Sequence, residues 1–94
     1  MMKDIFILGI GTGTPQFIEL AETCGYNIAG LYHYNNERTG ETDHNYKILG
    51  SFEDLLSSNI RGKNFILTMG NMQIKQDVSN RILKRGVASI LKAS

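Results

Sequence analysis

Cysteine, net charge and long apolar runs are what this chain has least of. Among its 94 residues Cys24 is the one cysteine, so no internal disulfide can form and nothing favours an oxidising compartment. Its place after an apolar helical stretch makes it a small core residue rather than a nucleophile. The formal charge is only +1, and the ten Lys and Arg are scattered. That balance gives no electrostatic attraction to nucleic acid or to an acidic membrane, so no nucleic-acid partner is expected. The one adjacent basic pair, Lys84-Arg85, falls near a predicted helix end, where cations complement the dipole. No apolar run reaches the roughly 18 residues of a membrane span, and residues 1–10 show no cleavable signal pattern. A cytoplasmic protein is expected. There is no internal repeat, linker or low-complexity segment either, so residues 1–94 read as one domain.

What is present is an alternation of short apolar runs and helical patterns. Residues 4–10 form a nearly continuous apolar run, the pattern of a strand covered on both faces. A glycine-rich turn over 9–14 follows, and Pro15 suits the first turn of a helix, where its missing N–H costs nothing. Phe17, Ile18, Leu20, Ala21 and Cys24 recur at helical spacing, and Gly25 is the stop. A second strand is predicted over 27–34. Residues 35–47 are polar and aperiodic, a surface loop of functional or disordered type, and 48–50 form a short extended piece. Ser51 caps a short helix over 52–56, with Asp54 as an imperfect capping-box partner. A third buried strand spans 64–69. Ile74, Val78, Ile82 and Leu83 mark the inner face of a helix over about 72–85, Gly86 ends it, and 87–91 make a last strand. Such alternation predicts an α/β fold, a small Rossmann-like three-layer domain with a parallel sheet of about four strands.

In such a sheet ligands sit beyond the carboxyl ends of the strands, where the turns 9–14, 33–46 and 70–72 gather. Gly9, Gly11 and Gly13 let backbone N–H groups approach a phosphate closely, and Thr12 and Thr14 add hydroxyls. The same glycines also suit a tight strand-to-helix turn with no ligand. The dinucleotide fingerprint is imperfect: Thr14 stands where its third glycine should be, and the second strand ends in Tyr32-His33-Tyr34 without a ribose-binding carboxylate. Both departures count against NAD. No Gly-Lys-Ser/Thr follows the turn, which excludes a P-loop.

Three segments, Leu8-Gly9-Ile10-Gly11-Thr12-Gly13, Ala29-Gly30-Leu31 and Thr68-Met69-Gly70-Asn71, resemble the N-terminal domain of bacterial sugar O- and N-acyltransferases, the sialic acid O-acetyltransferase and bacillosamine-type N-acetyltransferase family. The similarity runs over nearly the whole chain as a loose pattern. It implies a Rossmann-like domain that recognises a nucleotide-activated sugar of UDP-sugar type in polysaccharide or glycoconjugate biosynthesis. In that family a hexapeptide-repeat β-helix binds acetyl-CoA, carries the catalytic histidine and makes the trimer. No such repeat occurs in this sequence, so the chain by itself is expected to hold no catalytic residue and no cofactor, and to be inactive and monomeric or weakly dimeric. The resemblance places Gly9, Gly11, Thr12 and Gly13 at the diphosphate or sugar, with Gly70, Asn71 and Lys75 in the later turn and helix. His33 and Tyr34 stand where the family has two acidic residues, and Tyr34 and Asn35 are left to stack on or hydrogen-bond a base. The alternative reading is a Rossmann-like regulatory or interaction domain that has lost its ligand. A third is a small nicotinamide- or CoA-sensing domain.

Other candidates carry less. His33 and His44, with Glu41 and Asp43, match no metal-ligand spacing, so no metal site is expected. Tyr26 and Tyr32 read as packing residues, Tyr34 and Tyr46 as edges of the ligand loop.

Overall fold

The computed structural model describes residues 3–11, 13–86 and, for the backbone alone, 89–92. Strand β1 is Lys3–Leu8, helix α1 Thr14–Thr23, β2 Tyr26–His33, β3 Thr42–Asp43 and β4 Tyr46–Ser51. Then come α2 at Phe52–Leu56, β5 at Asn64–Leu67, α3 at Met72–Leu83 and β6 at Ser89–Lys92. The six strands form one sheet in the order β3-β4-β2-β1-β5-β6. Five of them are parallel, and β3 is added antiparallel on the edge of β4. The chain starts at the centre, winds outward to β4, then returns past β1 to wind the other way. A reversal of winding with crossovers of one hand puts the later helices on the opposite face.

The period-two side-chain rule of a strand is what separates the two cores. Ile5, Ile7, Ile28, Leu31, Ile48 and Ile66 meet Ile18 and Ala21 of α1 on one face. Leu8, Phe65 and Leu67 point the other way, against Phe52, Leu55 and Leu56 of α2, Ile60, and Val78 and Ile82 of α3. This is the expected α/β Rossmann-like fold, with more strands than the four foreseen.

Of the added strands, β3 comes from the polar stretch and β4 enlarges the extended piece expected at 48–50. His44 and Asn45 both have positive φ, 51° and 72°, as the two central positions of a type I′ hairpin require. The hairpin bends back so that Gly40 N–H donates to Ile48 O and Ile48 N–H to Glu41 O. Asn-Gly is the usual signal for this turn, and His-Asn hides it. Around α2 the capping box is complete: the Ser51 hydroxyl accepts from Asp54 N–H, and Asp54 Oδ2 accepts from Ser51 N–H.

Some expected core positions are displaced. Cys24 is exposed rather than packed. Leu20, Ile74 and Leu83 are exposed as well, while α3 buries Lys75, Val78, Ser79 and Ile82. The inner stripe of α3 is rotated from the one its apolar residues mark, because the N-terminal end of that helix overhangs an open cleft. Of the predicted last strand, Val87 and Ala88 lie outside the described residues.

Candidate functional site

Winding reverses between β1 and β5, and the crevice at their carboxyl ends is where an open α/β sheet takes its ligands. A cleft of about 460 Å³ lies there. Its floor is built by Gly9 and Thr68. Gly9 leaves β1 with φ +108°, and a Cβ on it would stand 2.7 Å from Thr68 Oγ1 and 3.0 Å from Met69 N. Thr68 N–H donates to Leu8 O at 2.9 Å, and Thr68 Oγ1 lies within hydrogen-bond distance of both Leu8 O and Gly9 O. Gly9 N–H in turn donates to Tyr32 O at 2.9 Å, which ties the turn to β2.

Gly11 behaves differently. Its φ is not in the left-handed region, and a Cβ there would meet nothing within 4 Å, so its open side faces the cleft. Its N–H donates to the Thr14 hydroxyl at 2.8 Å, and Thr14 N–H returns a bond to Gly11 O at 3.2 Å. Thr14 is fully buried, closing the turn where the dinucleotide fingerprint has glycine. The N–H groups of Gly11, Thr14 and Gln16 are therefore used inside the turn, and that of Gly9 is spent on β2.

The opposite wall is the start of α3. Asn71 is its N-cap, with Oδ1 accepting from Ile74 N–H at 3.1 Å. The N-termini of α1 and α3 thus reach the cleft from opposite faces of the sheet, each adding partial positive charge.

At the end of β2, His33 and Tyr34 form the side of the cleft, with ring centroids 4.4 Å apart and planes inclined by 47°. Asn35 Oδ1 accepts from Glu37 N–H at 3.0 Å and lies 3.1 Å from His33 Nδ1. Behind them burial, and then the Asp54 carboxylate, push the Tyr32 phenol above its usual range. No Asp, Glu, Lys or Arg is among the described residues that line the cleft, so its attraction for an anion comes from backbone dipoles.

The structure therefore gathers Gly9, Gly11, Gly13, Thr14, His33, Tyr34, Gly70 and Asn71 around one cavity. Asn35 and Lys75 do not line it, Lys75 being buried in α3. Thr12 lies outside the described residues. Ile10, Phe52, Thr68, Met69 and Ile74 also line the cleft, and their apolar or strand-end character gave no chemical signal in the sequence. Tyr46 is placed elsewhere, packed against the α1-side core with its hydroxyl on Glu22. His44 contacts Asp43 on the hairpin, and among the described residues no three His, Cys, Asp or Glu side chains group as a metal site.

No protein-family model matches the chain, and no curated protein sequence does. Solved structures share its fold, among them two of one protein. One is the crystal structure of RSP, a Rex-family repressor, with a TM-score of 0.76 at 18% identity, covering 99% of this chain and 46% of that one. The other is RSP in complex with beta-NADH, with a TM-score of 0.71 at 19% identity over the same shares. This chain spans about half the length of those proteins, and at such identities the likeness is one of fold.

These findings correct the resemblance to sugar acyltransferases. With it go the nucleotide-sugar recognition domain, the transferase and polysaccharide-biosynthesis reading, and the expectation of a nucleotide-activated sugar as partner with nucleic acid excluded. The structural neighbours are a repressor, in one case holding a dinucleotide. The residues behind the resemblance have local explanations: Gly9 is demanded by its φ and by Thr68, and Asn71 by the N-cap of α3. They report how this fold turns a strand into a helix, which any ligand class can share.

Proposed function

We propose that this chain is a Rossmann-like regulatory domain, a unit over residues 1–94 that binds a nicotinamide dinucleotide reversibly at the β1–β5 crevice and serves a cytoplasmic regulator of transcription. One observation carries the reading: the cleft sits at the topological switch point, with Gly11 open towards it and two helix N-termini aimed at it. The pyrophosphate belongs beside Ile10, Gly11 and Gly13, and a ribose beside His33. The likeness of fold to a repressor, one structure of which holds beta-NADH, supports a regulatory output and this ligand class. The dinucleotide is a signal rather than a resident cofactor, and no catalytic residue is assigned. No helix among the described residues is long and apolar enough to cross a membrane.

The test is a calorimetric and thermal-shift titration of the chain with NADH, NAD+, UDP and acetyl-CoA. Ligand at 100 times its dissociation constant stabilises a fold by about 2.7 kcal/mol, a shift easily read in a domain of this size. Stabilisation by NADH or NAD+ alone is the expected result. Silence across the panel from a folded sample overturns dinucleotide binding and leaves the second reading, an interaction domain without ligand. That reading has its own support in the N–H groups of Gly9, Gly11, Thr14 and Gln16, all of which already have protein acceptors.

A further inference from the structure

The hydrogen bonds at the end of β2 fix which nitrogen of His33 is left for a ligand. Asn35 Oδ1 accepts from the backbone N–H of Glu37, which identifies that atom as oxygen rather than amide nitrogen. An amide oxygen only accepts, so His33 Nδ1, 3.1 Å from it, is the protonated, donating nitrogen. In the neutral ring Nε2 then carries a lone pair. His33 lines the cleft at the β2 end and Tyr34 leans on its ring, so the imidazole stands where a Rossmann dinucleotide site usually has a carboxylate.

A carboxylate there accepts a ribose 2′-hydroxyl but repels a 2′-phosphate by like charge. An imidazole does not. Its Nε2 can accept the hydroxyl, and the ring sets no fixed negative charge against a phosphate. We propose that His33, held in the Nδ1–H form by Asn35, makes this cleft tolerant of both 2′-hydroxyl and 2′-phosphate dinucleotides. The inference rests on the dinucleotide reading above and adds its selectivity.

The neighbouring charges leave this role to His33. Arg38, the one cation of the segment between β2 and β4 before Lys47, is engaged: Nη2 bonds Asp43 Oδ2 at 3.1 Å and Nε bonds Glu41 Oε1 at 3.3 Å. Hydrogen bonds to Asp43 and then Glu41 raise the pKa of its guanidinium further. Acidic groups on the adjoining segments are Glu37, in the loop that holds Asn35, and Asp54, which closes the α2 capping box with Ser51, the β4 partner of His33.

The experiment titrates the wild-type chain, His33→Asp and His33→Leu with NADH and NADPH near neutral pH, with circular dichroism as the folding check. In the wild type the two affinities are expected within about tenfold of each other. His33→Asp should keep NADH and weaken NADPH by about 30-fold or more, since it places a fixed negative charge against the phosphate. His33→Leu should weaken both by about tenfold, the loss of one hydrogen bond. Asn35→Ala separates positioning from packing: imidazole ¹⁵N NMR of the free chain should show the Nδ1–H form in the wild type and a shift towards Nε2–H in the variant. Wild type binding NADH at least a hundredfold tighter than NADPH, or His33→Asp leaving their ratio unchanged, overturns the inference while the dinucleotide reading stands. Binding of neither dinucleotide overturns both.

Discussion

Gly9 and Gly11 stand two positions apart in one turn and answer to different physics. Gly9 holds a backbone angle that L side chains avoid, and even a methyl group would press on Thr68 Oγ1 and the Met69 backbone. Gly11 has an ordinary φ and empty space beside it. Gly9→Ala is therefore expected to destabilise the fold by about 1–3 kcal/mol, read as a lower urea midpoint with unchanged slope. Gly11→Val should keep the midpoint within about 0.5 kcal/mol of wild type and abolish dinucleotide binding in the calorimeter. If both variants lose stability equally, the turn is only a structural device. The sequence shows three equivalent glycines; nothing in it tells which one the backbone requires and which one has open space beside it.

At the scale of elements, α2 is too short to stand alone and is held at its start and along its side. Its start carries the Ser51–Asp54 capping box, legible in the sequence because cap and partner lie three residues apart. Its side is tied to α3 by a bidentate pair, Arg81 Nη1 to Glu53 Oε1 at 2.7 Å and Nη2 to Oε2 at 2.9 Å. No local pattern foretells that contact, since the partners lie on different helices. The Arg81 guanidinium holds the Glu53 carboxyl below its ordinary value of 4.5. A lowered folded-state pKa contributes stability above the unfolded value and loses it as pH falls through the folded one. Wild type should therefore be slightly more stable than Arg81→Met at neutral pH, with the two melting curves converging below pH 4.5. The pair is exposed, so the difference should also shrink in high salt. A gap that persists at low pH would trace the effect to packing by the arginine stem.

At the scale of the whole molecule, a thin sheet between two helical layers divides the apolar residues into two modest cores, one under α1 and one under α2 and α3. A chain this short has little stability to spare. Phe65 is fully buried at the centre of the second core and shares it with Phe52, the residue that reaches the cleft from α2. Phe65→Ala should cost about 3–5 kcal/mol, enough to remove or severely broaden the cooperative unfolding transition. A variant that melts within a few degrees of wild type would mean that the α1 side carries the fold alone.

The local patterns of the sequence are sufficient for β1, α1, β2, α2, β5 and α3, because each is a short-range consequence of apolar period, cap or glycine stop. They also place the glycine turn at a strand's carboxyl end, and so bring eight of the candidate residues to one edge. Identity of the ligand class does not follow from them: the glycines and Asn71 match more than one family because they meet backbone needs that many families share. Only the tertiary structure decides that β1 and β5 are neighbours, that Thr68 closes the floor between them, and that the Asn35 side chain lies against the His33 ring. Those are contacts between residues whose partners are set by the winding of the sheet and the bend of a loop. A one-dimensional pattern holds the residues; the crossovers decide which of them meet.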